Sequence, residues 1–250
     1  MADPNGIQQQ SDDPDDVFYE VSWKRFIFPA IHPKGRIIVF CVVLALLLFI
    51  CCFYKLWLVP VPLVVVLGMV VFPLFMYAWY FFRNPERFTP ADDKAIIAPA
   101  DGLVCAIRKM VPPATLDIGT KPLIRVSVFM SLFSVHINRC PTSGRIHALT
   151  YHKGKFVNVA HKDSEDNERQ EICIERKDGV RIGVVQIAGL VARRIYCPLQ
   201  VNDEVQAGRV FGLIRFGSRL DVYLPEGIEP MVLPGQTITA GETILARLEE

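Results

Sequence analysis

Between Ile37 and Phe82 the chain carries one charged residue, Lys55. Lys55 separates an 18-residue charge-free run, Ile37–Tyr54, from a 27-residue run, Leu56–Phe82. Apolar runs of this length must leave water, and they predict membrane spans over a buried helix pair. Pro60 and Pro62 interrupt the second run near its start and leave Leu63–Phe82 as a second span around a short turn. Lys24, Arg25, Lys34 and Arg36 precede the pair, and Arg83, Arg87 and Lys94 follow it. Basic flanks at both outer ends predict that both ends face the cytoplasm, with the turn outside. A cleavable signal peptide fits less well, because the first run starts far from the N-terminus and leads into a second run.

The rest of the chain divides around this pair. Residues 1–20 hold Asp12, Asp13, Asp15 and Asp16 and read as a disordered tail. Residues 21–36 mix Trp23, Phe26 and Phe28 with basic residues, as a membrane interface would. After Arg83 come short β-branched runs punctuated by Gly, Pro and Asp: Leu103–Ile107, Leu123–Met130, Gly144–Tyr151, Glu171–Ile174, Val180–Ile187 and Arg209–Ile214. No long amphipathic helix stands out. The expected domains are a disordered or interfacial segment (1–35), a two-helix membrane anchor (36–82) and a β-rich domain (83–250). A Val/Ile-x-Ala-Gly pattern, closed by a further Val or Ile after one or two residues, recurs at Val205–Val210 and Ile238–Ile244. Such units occur in barrel-like β folds that carry biotinyl or lipoyl groups, but the carrier's Met-Lys-Met is absent.

The net charge is +1, which gives no basic field for nucleic acid. Of the seven cysteines, Cys41, Cys51 and Cys52 lie in the apolar run, and Cys105, Cys140, Cys173 and Cys197 are widely spaced. No metal site or disulfide framework is expected from that spacing. His32 reads as interfacial. His147, His152 and His161 match no compact ligand motif.

The chemistry concentrates at Phe211–Pro225. Leu220, Val222 and Leu224 alternate with Arg219, Asp221 and Tyr223, the period of a half-buried strand. Gly217-Ser218 stands at its start. One reading is a turn pair. The other is that the Gly–Ser peptide bond itself reacts, since glycine leaves its carbonyl open and serine places a hydroxyl beside it. His136 ends an apolar run, Phe129–Ile137, and enters a polar loop, where it could serve as a general base or simply pack. Asp101, in Pro-Ala-Asp-Gly, is either a turn residue or a carboxylate that orients a histidine.

Four stretches occur together in order: Pro-Ala-Asp101-Gly, Phe-Ser-Val-His136-Ile-Asn-Arg, Asn167-Glu168-Arg169, and Phe216-Gly217-Ser218-Arg219 with Asp221–Pro225. Over about residues 80–250 the chain thereby resembles the phosphatidylserine decarboxylases, and Phe-Gly-Ser-Arg resembles their shorter, prokaryotic class. The longer class carries Leu-Gly-Ser-Thr, with a second histidine three residues after the first. Here that position is Arg139, so no role of that histidine carries over.

The resemblance implies a barrel-sandwich-hybrid-like, mainly antiparallel β domain and an enzyme that makes its own cofactor. Ser218 Oγ would attack the Gly217 carbonyl, with His136 taking the proton and Asp101 orienting His136. Elimination and hydrolysis would then leave a covalent pyruvoyl group derived from Ser218. The products would be a large chain, 1–217, and a small chain, 218–250. The implied reaction is decarboxylation of phosphatidylserine to phosphatidylethanolamine through a Schiff base with the pyruvoyl ketone, with His136 as the candidate proton donor. Arg193, Arg194, Arg215 and Arg219 are candidates for the substrate phosphate. The implied partners are a phospholipid and a bilayer, at a cell inner membrane with the catalytic domain cytoplasmic; the reading also allows a homo-oligomer. Two alternatives stay open. One is a decarboxylase of another serine-headgroup lipid, such as an archaetidylserine. The other is a non-catalytic membrane-anchored adaptor on the same fold. A serine hydrolase lacks its Gly-x-Ser-x-Gly elbow.

Overall fold

The computed structural model describes residues 30–56, 61–154, 167–189, 194–215 and 217–249, leaving aside the side chains of 46, 50, 52–56, 61–64 and 67. The expectations for the tail, for His161 and for Arg193 fall outside the described residues. The chain divides into two compact units, Met1–Glu86 and Arg87–Glu250.

In the first unit, helices α1 (Pro33–Leu56) and α2 (Val61–Phe81) are joined at their outer ends by a short antiparallel ladder, β1 (Ala30–Ile31) with β2 (Arg83–Asn84). The His32 amide donates to the Phe82 carbonyl at 3.0 Å. Gly35 is required by the packing, because a Cβ there would lie 2.4 Å from Phe82 Cβ. Arg83 caps the end of α2 by donating to the Tyr80 carbonyl at 2.6 Å, with its guanidinium 3.5 Å from the Tyr80 ring centroid.

These helices correct the expected membrane anchor. No helix among the described residues is long and apolar enough to cross a membrane. The charge-free part of α1 is the 18 residues Ile37–Tyr54, about 27 Å at 1.5 Å per residue, against a hydrocarbon core of about 30 Å. Pro73 lies inside α2, where it removes one backbone hydrogen bond of the helix. The anchored topology at a cell inner membrane and the transmembrane-helix reading are withdrawn with it.

The second unit is a β domain in which every strand pairing is antiparallel. Its strands are β3 (Ala95–Ile97), β4 (Gly102–Met110), β5 (Leu123–Met130), β6 (Ile137–Arg139), β7 (Gly144–His152), β8 (Arg169–Glu175), β9 (Arg181–Ala188), β10 (Ile195–Tyr196), β11 (Glu204–Val205), β12 (Val210–Ile214), β13 (Ser218–Tyr223), β14 (Thr237–Ile238) and β15 (Ile244–Arg247). Eight form one curled sheet in the order β11-β7-β8-β9-β13-β5-β4-β14. A three-stranded sheet, β10-β12-β6, and a pair, β15-β3, complete the domain.

Strand alternation decides what each face does. From β13, Leu220 and Val222 enter the main core with Val126, Val128 and Met130 of β5 and Ile182 and Val184 of β9. Arg219, Asp221 and Tyr223 point to the other face, yet they are buried too. A 3₁₀ turn at Ala114–Leu116 lies over that face, and Leu116 packs with Val185, Ile187 and Tyr223. Gly183 admits this cover, because a Cβ there would meet Ile118 and Leu116 at about 3 Å. The strand expected to be half-buried is therefore buried on both faces.

The two Ala-Gly stretches are matching turns. Gly208 (φ 75°) follows β11 and leads into β12, and Gly241 (φ 80°) follows β14 and leads towards β15. Arg139 lies between them. Its Nη1 donates to the Gly208 carbonyl at 2.9 Å, and a Cβ on Gly241 would meet its Cδ at 2.9 Å.

Candidate active site

Ser218 opens β13, the strand between β5 and β9, and stands opposite Met130 on one side and Ala188 on the other. Its side chain belongs to the inward-facing set and is fully buried. Ser218 Oγ donates to Met130 Sδ at 3.4 Å, a contact within the range for a sulfur acceptor. Gly217 before it takes φ 62°, the left-handed region, where a side chain is strained and glycine is not.

His136 reaches this bond from the three-stranded sheet. It directly precedes β6, and its carbonyl accepts from the Ile214 amide at 3.2 Å, which fixes the backbone beside β12. The Gly217 amide donates to His136 Nε2 at 3.3 Å. An amide can only donate, so Nε2 carries the lone pair. The proton is then on Nδ1, which donates to the Ser134 carbonyl at 2.9 Å. These bonds place the basic nitrogen of the buried imidazole at the residue that contributes the carbonyl of the Gly217–Ser218 bond.

The structure brings His136, Gly217 and Ser218 together. The Asp101 carboxylate accepts from Arg87 Nη2 at 2.6 Å and from the Ala240 amide at 2.7 Å. It ties the entry to β4 to the Gly241 turn and to Arg87, and the Ser134 carbonyl occupies the Nδ1 side of His136 where an orienting acceptor would stand. Arg139 shares this region. Burial, then the neighbouring Arg87 guanidinium, pull its pKa down to about 10. It remains a cation at neutral pH.

The arginines separate. Arg219 makes a bidentate pair with Asp221, Nε to Oδ1 and Nη2 to Oδ2, both 3.0 Å, on the face away from Ser218. Arg125 Nη1 adds a third contact to Asp221 at 3.5 Å. Arg194 and Arg215 are neighbours, because β10 and β12 pair at Ile195 and Ile214 and the Arg215 amide donates to the Arg194 carbonyl at 3.3 Å. Arg194 is exposed and Arg215 half-buried.

Three residues beside Ser218 escaped the sequence reading. Asn138, two residues after His136, donates from Nδ2 to the same Met130 Sδ at 3.7 Å. Gln186 of β9 donates from Nε2 to Asn138 Oδ1 at 2.8 Å. Met130, Asn138 and Gln186 are all fully buried. Their meeting depends on strand register and on the packing of two sheets, which no local spacing encodes. The one available signal was Asn138 at i+2 from His136, which on a strand shares its face.

The phosphatidylserine decarboxylase family profile matches residues 74–246. The chain is 57% identical over 185 residues to a phosphatidylserine decarboxylase proenzyme of Ruegeria pomeroyi, covering 74% of this chain and 84% of that protein. It is 56% identical over 173 residues to a proenzyme of the same description from Paramagnetospirillum magneticum, covering 69% and 72% of the two chains. A third, from Cereibacter sphaeroides, is 52% identical over 183 residues, covering 73% and 79%. The span of the family profile includes the residues that the fold gathers around Gly217 and Ser218, and the chain belongs to the phosphatidylserine decarboxylase family.

Proposed function

We propose that the chain is a proenzyme that cuts itself between Gly217 and Ser218 and uses the new terminus for the family's reaction, decarboxylation of phosphatidylserine to phosphatidylethanolamine. The observation that carries this reading is the contact of His136 Nε2 with the Gly217 amide, beside a buried Ser218. Ser218 Oγ attacks the Gly217 carbonyl, so that an O–C bond forms as the C–N bond breaks. His136 takes the hydroxyl proton on Nε2 and returns it to the departing Ser218 nitrogen. The Asp101–Arg87 pair holds the β4 entry and the Gly241 turn around the site. Elimination removes the Ser218 Cα proton and releases the Gly217 carboxylate, and one water then displaces ammonia. Gly217 in the left-handed region and Ser218 at a strand start fit this chemistry, since the acyl group and the hydroxyl are neighbours and, among the described residues, no side chain crowds Gly217.

The pyruvoyl group so formed supplies a carbonyl that binds the substrate amine and accepts the electrons left by carbon dioxide. His136, with a basic nitrogen already in place, holds the proton that replaces the carboxylate. Arg194 and Arg215 hold the phosphodiester, as a cross-strand pair of cations near the end of β12. The small chain stays in place without a covalent link, because β13 is hydrogen-bonded to β5 and β9 along its whole length.

The test is reductive trapping. Phosphatidylserine plus cyanoborohydride should add the lipid's mass less one oxygen to the fragment beginning at position 218, as water leaves and two hydrogens are added, and should stop carbon dioxide release. Ser218→Ala should give an uncleaved chain that is neither trapped nor active. Carbon dioxide release by folded Ser218→Ala would refute the reading.

A further inference from the structure

The nucleophile and the base of the proposed self-cleavage sit on different sheets. Ser218 is on the eight-stranded sheet, and His136 directly precedes β6 of the three-stranded sheet. Buried side-chain bonds join those sheets beside the site: Gln186 Nε2 on β9 donates to Asn138 Oδ1 on β6 at 2.8 Å. The same Asn138 side chain donates from Nδ2 to Met130 Sδ on β5, and that sulfur also accepts from Ser218 Oγ. Four residues thus form an unbroken run, Gln186–Asn138–Met130–Ser218, with each side chain fully buried.

We propose that Gln186, Asn138 and Met130 are positioning residues for self-cleavage. This rests on the reading of Ser218 as the nucleophile. Asn138 and Gln186 fix the distance between the sheet carrying Ser218 and the strand carrying His136. A one-residue displacement in either strand would turn Ser218 or His136 to the opposite face. Asn138 also fixes the Met130 thioether through its Nδ2 donor. The thioether then holds the Ser218 hydroxyl inside the protein without competing strongly for it, because sulfur is a weak acceptor. A carboxylate or carbonyl in that place would bind the hydroxyl more tightly and oppose its turn towards the Gly217 carbonyl. An apolar side chain would leave a buried hydroxyl with no acceptor.

The test follows cleavage of freshly synthesised full-length chain over time by intact mass, with thermal unfolding measured on an uncleavable Ser218→Ala background. Met130→Leu conserves volume and removes the sulfur. Asn138→Leu with Gln186→Met removes both amides in near-isosteric form, a change that can be close to neutral for stability when both partners are replaced. Each should keep a Tm near that of the parent and cleave at least about tenfold more slowly, equivalent to about 1.4 kcal/mol in the barrier. The exchange Asn138→Gln with Gln186→Asn keeps an amide pair and should recover part of the rate. Wild-type cleavage rates in both Met130→Leu and a folded double variant would overturn the proposal. If the double variant does not fold, Met130→Leu decides alone. A wild-type chain that never cleaves would remove the Ser218 reading itself, and this proposal with it.

Discussion

Among the described residues, a Cβ on Gly217 would meet nothing nearer than Leu132 Cδ2 at 3.9 Å, so Gly217→Ala chiefly tests backbone conformation. The left-handed φ of 62° costs a non-glycine residue about 1–2 kcal/mol. The expected result is a folded chain with Tm lower by a few degrees and slower cleavage; an unchanged Tm would mean that the turn relaxes at no cost. His136→Ala should slow cleavage about a hundredfold or more, the usual worth of a positioned base, and a time course by intact mass would read it. Arg194→Ala with Arg215→Ala should raise KM for phosphatidylserine without altering cleavage; an unchanged KM would place the phosphate elsewhere. At this scale the sequence carried Gly217, Ser218 and His136, because each stands in a local motif. It did not carry Met130 or Gln186, which reach Ser218 through register, or the bond from Arg87 to Asp101 across fourteen positions.

Strands are where sequence and structure agree most closely. The run Leu123–Met130 is β5 without adjustment, and the runs read at 144–151, 180–187 and 209–214 lie within a residue of β7, β9 and β12. Alternation and β-branched content carry that information. The short pairings β10, β11, β14 and β15 had no such signal, because two to four residues are too few to show a period. Burial of β13 on both faces was also hidden, since its cover comes from Ala114–Ile118, a stretch remote in sequence. Sheet pairing makes one sharp prediction. A Cβ on Gly102 would lie 2.2 Å from the Phe129 carbonyl oxygen, a backbone atom in the middle of the sheet. Gly102→Val should therefore lower stability by about 3 kcal/mol or more, read as a shifted denaturant midpoint. A wild-type midpoint would contradict the β4–β5 register.

The molecule has two compact units, Met1–Glu86 and Arg87–Glu250, and composition misled on the first. Charge-free length suggested a membrane anchor, whereas no helix among the described residues is long and apolar enough to cross a membrane. Arg87–Glu250 contains the full core around Ser218, so a chain beginning at Arg87 should fold and cleave itself; failure to cleave when folded would assign the first unit a part in processing. Stability of the β domain should also fall in acid. The His147 hydrogen bond, with Arg181 beside it, holds the Asp117 carboxyl below its ordinary value of 3.8, and Arg247 does the same for Asp92. A depressed carboxylate stabilises the fold above its unfolded pKa and loses that contribution as pH falls through the folded value. Tm should thus be flat above about pH 5 and drop below about pH 4, and Asp117→Asn should flatten part of that drop.

The central claim is that the peptide bond between Gly217 and Ser218 becomes the catalytic group. Intact mass of the purified wild-type chain tests it most directly. The prediction is two species, residues 1–217 and 218–250, with the smaller lighter by one ammonia than the same fragment with an ordinary N-terminal serine. The two should co-elute until denatured. A single uncleaved mass from folded wild-type protein would contradict the account.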